Sequence, residues 1–409
     1  MGVIDPKIVI GLGFGDEGKG MAVAHEVEKS IADGHRPVVV RFNGGPQAQH
    51  NVRIVCDGKV IHHTHSQFGS GALLGAKTYI AKGMLVDLDA LIWEGEHLRD
   101  ITGENPFTSV VIDKRCPVML PMYARVNQEL EYGRGDKRHG STGRGVGIAR
   151  ACIDAEPISK TVSGAVVRVS DVLTGRYLMK QLEAWPLWLS REYGVSVPNE
   201  SEIWAYDLCK ARDKLMILGV RFDYVDELVK KSVESKQVIF EGSQGVLLDK
   251  RVGWFPHVTY GDMDAFEARR LCGEHRAKVI GVTRSYQTRH GFGPMPTEGT
   301  CDIPEIDNET YEWAGVFRTG LLDIPNLARA ADSTCVDEIA VSHMDSYPGR
   351  CVTRWEGTSK VDGIDRYVPC GMCIEDMDED TFISTIEDEC HAPVTVIGRG
   401  PITDAWQDR

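Results

Sequence analysis

Short runs of β-branched and other apolar residues recur along the chain, at Ile8–Ile10, Val38–Phe42, Val110–Ile112, Val238–Phe240, Val279–Val282, Ile339–Val341 and Val394–Ile397. Stretches of helical character separate them, a rhythm that predicts parallel strands joined by crossover helices. Several runs are apolar throughout, not alternating, as expected of strands covered on both faces. The expected fold is therefore α/β, one large domain over residues 1–409 around a mainly parallel central sheet. Functional residues should then lie at the carboxyl ends of strands, where such sheets bind ligands.

Polar, glycine-rich segments mark those ends. Directly after Ile8-Val9-Ile10 comes Gly11-Leu12-Gly13-Phe14-Gly15-Asp16-Glu17-Gly18-Lys19-Gly20. Gly13, Gly15 and Gly18 satisfy the GxGxxG spacing of a dinucleotide loop, but the second apolar run ends in Asn43-Gly44-Gly45, without the carboxylate that would hold a ribose. Gly13, Gly18 and Lys19 also satisfy a P-loop spacing, but Gly20 stands where a hydroxyl would bind Mg²⁺. Inside this P-loop-like loop an extra carboxylate, Asp16, has appeared. Beside amides that hold a polyphosphate it has two uses, ligating Mg²⁺ or taking a proton from a second substrate. The plainer alternative is that Asp16 and Glu17 only cap the next helix.

Four more such segments follow: Asn43-Gly44-Gly45-Pro46-Gln47-Ala48-Gln49-His50 after Phe42, Glu241-Gly242-Ser243-Gln244-Gly245 after Phe240, and the loops at 140–147 and 291–294. Gly398-Arg399-Gly400-Pro401 closes the set. Each alone reads as a turn. Their joint placement is what points to a site.

Length, charge and cysteines narrow the picture. At 409 residues with 42% hydrophobic content the chain has room for more than one domain, yet no linker, repeat or single-charge run divides it. A net charge of −14 excludes a general nucleic-acid binder, although a local loop suffices for a nucleotide. No apolar run approaches the roughly 18 residues of a membrane span, and Met1–Pro6 lead straight into a strand, so a cytoplasmic protein without a signal peptide or membrane contact is expected. The 11 cysteines, an odd number, read as reduced thiols. Cys370-Gly371-Met372-Cys373 is half of a zinc pattern without its second half. His62-His63-Thr64-His65, with no acidic or cysteine partner nearby in sequence, reads as a polar loop, not a metal cage.

Gly15-Asp16-Glu17-Gly18-Lys19-Gly20, Gly140-Ser141-Thr142-Gly143-Arg144-Gly145-Val146-Gly147, Phe240-Glu241-Gly242-Ser243-Gln244-Gly245-Val246-Leu247-Leu248-Asp249 and Gly291-Phe292-Gly293-Pro294-Met295-Pro296-Thr297-Glu298 resemble the adenylosuccinate synthetase family. The likeness runs in order from Ile8 to Pro401. It implies an adenylosuccinate synthetase-like fold and a ligase that couples triphosphate cleavage to joining L-aspartate to the 6-position of a purine nucleotide.

The resemblance also implies roles. Asp16 takes the N1 proton and binds Mg²⁺, His50 supports phosphoryl transfer to O6 as an acid, and Gln244 faces the 6-position. Gly15, Asp16, Glu17, Gly18, Lys19, Gly20 and His50 hold the donor triphosphate, with Asp345, Gly400 and Pro401 at its base. Asp16, Gln47, Ser141, Thr142, Gln244, Leu248 and Thr259 hold the acceptor monophosphate, Gly315 and Arg318 the aspartate, and the carbonyl of Gln49 joins Asp16 at Mg²⁺. A homodimer is implied, with the arginine that crosses between subunits matched near Arg150.

Departures from the family pattern bear on nucleotide choice. The Thr-Lys-Leu-Asp segment that reads a guanine donor is matched by Ser342-His343-Met344-Asp345, and a serine near the C-terminus by Gly398. The arginine-rich loop at aspartate and ribose is matched by Trp313-Ala314-Gly315-Val316-Phe317-Arg318-Thr319-Gly320, which keeps one arginine. Gly-His-Asn-Ala-Gly-His becomes Gly45-Pro46-Gln47-Ala48-Gln49-His50. Together these look like the divergent viral branch of the family, which joins aspartate to dGMP with ATP or dATP for 2-aminoadenine DNA. An ordinary synthetase using IMP and GTP is the alternative, and a degenerate nucleotide-binding protein a third reading.

Overall fold

The computed structural model describes residues 5–156, 166–234, 237–305, 308, 312–313 and 315–409. In chain order its strands are β1 (Lys7–Gly11), β2 (Val38–Arg41), β3 (His50–Cys56), β4 (Lys59–His65), β5 (Lys77–Ile80), β6 (Val110–Asp113), β7 (Arg221–Asp223) and β8 (Val238–Gly245). They continue with β9 (Lys278–Arg284), β10 (Tyr286–His290), β11 (Phe317–Leu321), β12 (Glu338–Ser342), β13 (Arg350–Ser359), β14 (Val368–Asp376), β15 (Val394–Gly398) and β16 (Trp406–Asp408). Ten of them form one sheet in the order β16-β15-β12-β9-β1-β8-β2-β5-β6-β7. Every pairing in it is parallel except the edge pair β15–β16.

All the apolar runs read from the sequence are strands of this sheet. Their uniform apolarity has the expected cause. Ile8 and Ile10 on β1 and Val38 and Val40 on β2 pack into one core, while Val9 and Val39 face the other side and pack into a second. The helix α1 (Lys19–Ala32) and the helix α2 (Leu88–Thr102) cover the second side.

Strands β5, β7 and β16 went unread because they lack apolar runs: Lys77-Thr78-Tyr79-Ile80 starts polar, and the other two are three residues long. Three antiparallel hairpins, β3–β4, β10–β11 and β13–β14, stand outside the main sheet. The first overturns the reading of His62–His65 as a loop. These residues end β4, with His63 and His65 buried, because period-two alternation turns both inward. Glu241–Gly245 likewise continues β8, and the loops at 140–147 and 291–294 follow a helix, α3 (Pro121–Arg134), and the hairpin strand β10, not strands of the main sheet.

Candidate active site

The chain leaves β1 at the centre of the sheet, makes the glycine loop and enters α1. Gly18 precedes that helix in the left-handed region (φ 87°) and offers no side-chain cap. Among the described α-helices only one other begins on a left-handed glycine, α4 (Val146–Ala155), preceded by Gly145 (φ 80°) at the end of the loop 140–147. Both helix starts therefore present amides and the positive end of a helix dipole to an anion.

Beneath the first loop lies a buried ion pair. The Glu17 carboxylate accepts hydrogen bonds from the amides of Gly13 (3.0 Å) and Gly15 (2.6 Å), and Lys19 Nζ reaches its other oxygen at 2.8 Å. Lys19 also donates to the Gly15 carbonyl at 2.6 Å. Burial alone would raise the Glu17 carboxyl, but Lys19 and the backbone donors outweigh it and hold it below its ordinary value. A Cβ on Gly11 would sit 2.1 Å from Glu17 Oε2, and one on Gly245 2.6 Å from Oε1, so these glycines make the room. Glu17 and Lys19 thus brace the loop from below.

Asp16 stands above this floor, its side chain one quarter exposed, with its carboxylate 3.6 Å from His290 Nε2. Its carbonyl accepts from Arg284, which also donates to Tyr286 Oη at 2.7 Å and pairs with Glu305. The loop is pinned through its backbone and the Asp16 side chain stays available.

His50 opens β3 and packs at the start of α1, its Cβ 2.8 Å from where a Cβ on Gly20 would lie. Its Nδ1 faces Glu241 on β8, and its Nε2 lies 3.3 Å from the Ser243 carbonyl. Burial pushes the imidazole down, against the pull of Glu241. Glu241 is completely buried, where burial alone would raise its carboxyl; Arg41, His50 and Ser70 instead hold it down at about 2. A ring with an acceptor at each nitrogen is oriented to carry and release a proton.

Around this pair the structure gathers most of the other expected residues. Gln244 and Leu248 lie within 4 Å of the Cβ position of Gly15. Thr259 donates its amide to the Leu248 carbonyl at 2.8 Å. The loop 43–50 is tied to β8 by Asn43 Oδ1, which accepts from the Ser243 amide. It reaches α4 where Gly45 meets Val146 and Gln47. Gln47 Oε1 is buried with no hydrogen-bond partner, and Gln49 is exposed.

The loop 140–147 is shaped by α3. Asn127 Oδ1 accepts from Ser141 Oγ (3.1 Å) and the Gly145 amide, and buried Glu131 accepts from the His139 and Gly140 amides. Thr142 is exposed. Asn127 and Glu131, one turn apart on α3, went unread in the sequence, as did Glu241, Arg284 and His290. The only available signal for the first two was their spacing of four on one helix face.

At the donor-base side, Ser342 Oγ donates to the Glu17 carbonyl at 2.9 Å, and a Cβ on Gly18 would sit 3.3 Å from it. His343 is bonded to Ser342 Oγ at 2.8 Å and packs edge-on to Tyr286. Burial pushes its pKa well below the ordinary value, so the ring is neutral at pH 7. Asp345 lies in the next turn, and Gly400 in the loop after β15. Arg318 is committed within the chain, donating to Glu298 at 2.7 Å and to the Gly291 and Gly293 carbonyls. Gly315 is left-handed, and Ala314 lies outside the described residues. Arg150 bonds the Gly44 and Gly83 carbonyls of its own chain.

The model of the family "Adenylosuccinate synthetase" matches residues 8–351. The chain belongs to the adenylosuccinate synthetase family. It is 28% identical to the adenylosuccinate synthetase of Shewanella oneidensis over 96% of each chain. Its fold is similar to that of a fully ligated adenylosuccinate synthetase from Plasmodium falciparum, with a TM-score of 0.78 at 20% identity, covering 99% of this chain and all of the other. It is also similar to the cyanophage S-2L succinoaminodeoxyadenylate synthetase bound to dGMP and dATP as an energy donor, with a TM-score of 0.61 at 18% identity, covering 100% and 96% of the two chains. The protein is therefore a carbon–nitrogen ligase acting on a purine nucleotide and aspartate, with the family's α/β fold around a mainly parallel sheet. Among the described residues no helix is long and apolar enough to cross a membrane.

Proposed function

We propose that this synthetase joins L-aspartate to the 6-position of dGMP, with ATP or dATP as phosphoryl donor. Asp16 takes the N1 proton of the acceptor base, and O6 then displaces the nucleoside diphosphate from the γ-phosphorus. His50, oriented by Glu241, supplies a proton on the donor side. The aspartate amine attacks C6 next, and the O6 phosphate leaves, with Gln244 beside the reacting carbon. The uncapped starts of α1 and α4 would receive the donor triphosphate and the acceptor monophosphate, the latter also met by Ser141, Thr142 and Thr259.

The cofactor is proposed to be Mg²⁺. The Asp16 carboxylate and the Gln49 carbonyl are the oxygen donors this hard ion takes. When bound it would offset the charge of the triphosphate. The proposal extends to a homodimer acting in the cytoplasm, with residues 1–409 forming one domain.

The observation that carries the choice of acceptor is the Gln47 carbonyl oxygen, buried without a partner. A guanine 2-amino group would satisfy it, whereas hypoxanthine has no donor there and would leave the acceptor unpaired. Arg318 supports the deoxyribose. It is the one arginine kept in its loop, and it already serves Glu298 and two carbonyls. For the donor, a neutral, partly buried His343 replaces the lysine that accompanies a guanine reader. The ligands bound to the cyanophage enzyme, dGMP and dATP, agree with both choices.

The second reading, an ordinary synthetase using IMP and GTP, is favoured by the curated relatives and by the higher TM-score to the Plasmodium enzyme. Phosphate release should be measured with aspartate, each of dGMP, GMP and IMP, and each of ATP, dATP and GTP. Turnover with dGMP and an adenine donor is expected. Turnover confined to IMP and GTP would establish the second reading, and none at all would leave a nucleotide-binding protein.

A further inference from the structure

The β3–β4 hairpin meets α2 at a cluster that the ligase reaction does not use. His63 and His65, two residues apart on β4, point inward and are 3% and 0% exposed, and Glu94 comes up from α2 with its side chain 7% exposed. One ligand atom from each of the three lies within 4.8 Å of the others. Neither nitrogen of His65 has a hydrogen-bond partner, nor has Nε2 of His63. Leaving such groups buried and unpaired costs about 1–3 kcal/mol each, which makes the three unpartnered imidazole nitrogens an anomaly.

The distances suit an ion better than a hydrogen bond. His63 Nε2 and Glu94 Oε1 are 3.9 Å apart, too far to bond directly. Two metal–ligand bonds of about 2.0–2.1 Å meeting at a tetrahedral angle would place the atoms roughly 3.3 Å apart, so a modest closure admits the ion between them. The surroundings hold the ligands as an outer shell would. His63 Nδ1 is bonded to His97 Nδ1 at 2.8 Å, which leaves Nε2 to carry the outward lone pair when Nδ1 holds the proton. Glu94 accepts the amides of Ser66 and Phe68 on Oε1 and of Gln67 on Oε2, at 2.8 to 3.0 Å, which fixes the carboxylate and leaves one lone-pair position, on Oε2.

We propose that His63, His65 and Glu94 form a binding site for a divalent transition-metal ion, of which Zn²⁺ best fits two imidazoles and a carboxylate. Its place in the fold gives it a structural role. His65 is the register partner of His50 across the hairpin. An ion there would fasten to α2 the hairpin that carries His50, through side chains distinct from the oxygen donors at Asp16 and Gln49.

The test starts from full-length protein dialysed against a chelator and held in excess Mg²⁺ to fill oxygen sites. Zn²⁺ is titrated calorimetrically and Co²⁺ by visible absorption, with the unfolding temperature followed in parallel. Expected are one equivalent of Zn²⁺ with a dissociation constant of micromolar or below, Co²⁺ bands of a low-coordinate nitrogen and oxygen site, and a raised unfolding temperature. His63→Gln and Glu94→Gln should each weaken binding by about 100-fold or more, and His97→Ala by about 10-fold. Absence of a stoichiometric site in the wild-type protein would overturn the proposal, whatever the variants do. So would Zn²⁺ uptake unchanged in both folded ligand variants.

Discussion

The floor of the glycine loop and the segments proposed to meet the nucleotides are built on different terms. In the floor both carboxylates are answered within the chain, Glu17 by Lys19 and two amides and Glu241 by Arg41, His50 and Ser70, and only Nε and Nη2 of Arg41 lack a partner there. In the segments proposed to meet the nucleotides groups are left without partners, such as the buried Gln47 side-chain oxygen and the uncapped first turns of α1 and α4. The difference teaches where rigidity and choice reside. A buried ion pair is costly to break, so it holds the reacting groups in one arrangement. An unanswered polar atom gains most from the ligand that answers it, so it discriminates.

The largest effect expected on the chemical side is that of Asp16→Ala. Loss of a base that acts in the transition state should lower kcat by about 10² to 10⁴, read by phosphate release, with the melting curve almost unchanged because this side chain is partly exposed. A loss of less than tenfold would remove Asp16 from the reaction.

Glu241→Gln tests whether the floor orients His50. It should lower kcat by about tenfold or more with little change in KM, and it should alter acid stability. The folded carboxyl is held at about 2 against an ordinary 4.5. Its stabilisation, about 3 kcal/mol, is fully present above pH 4.5 and is lost as pH falls toward 2. The variant should be less stable near neutrality and flatter through that window in urea titrations, and an unchanged profile would deny Glu241 this role.

On the selective side, Gln47→Ala should cost dGMP about tenfold in kcat/KM and leave IMP, if it turns over at all, nearly untouched. An equal loss with both acceptors would assign Gln47 to general packing. The smallest effect is expected for His343→Lys, a few-fold rise in the GTP to ATP ratio of kcat/KM. The ring sits behind Ser342 and Tyr286, and a longer cation has to find its own way to a donor base. No change in that ratio would separate this segment from donor choice.

Much of this was legible in the chain. The strands of the sheet that carry apolar runs announced themselves, since burial on both faces demands such runs. The glycine loop pointed to an anion site, from an acid and a lysine among closely spaced glycines, beside the plainer reading of a helix cap. The polar strand β5 and the three-residue edge strand β16 escaped, since neither carries an apolar run. So did Glu241. It stood in a quoted motif, but only the parallel register that brings β8 beside β1 and β2 sets it under His50.

By itself the sequence determined the strands that carry apolar runs and the glycine loop, because these rest on local patterns, and its contiguous motifs carried the family resemblance that implied the class of reaction. Tertiary structure alone decided which polar atoms are answered and which are left open. Arg284 turned out to serve the Asp16 carbonyl, Glu241 to face His50, and His63 and His65 to meet Glu94. Hydrogen-bond partnership is settled by the packing of elements far apart in the chain, and spacing along the chain carries no record of it.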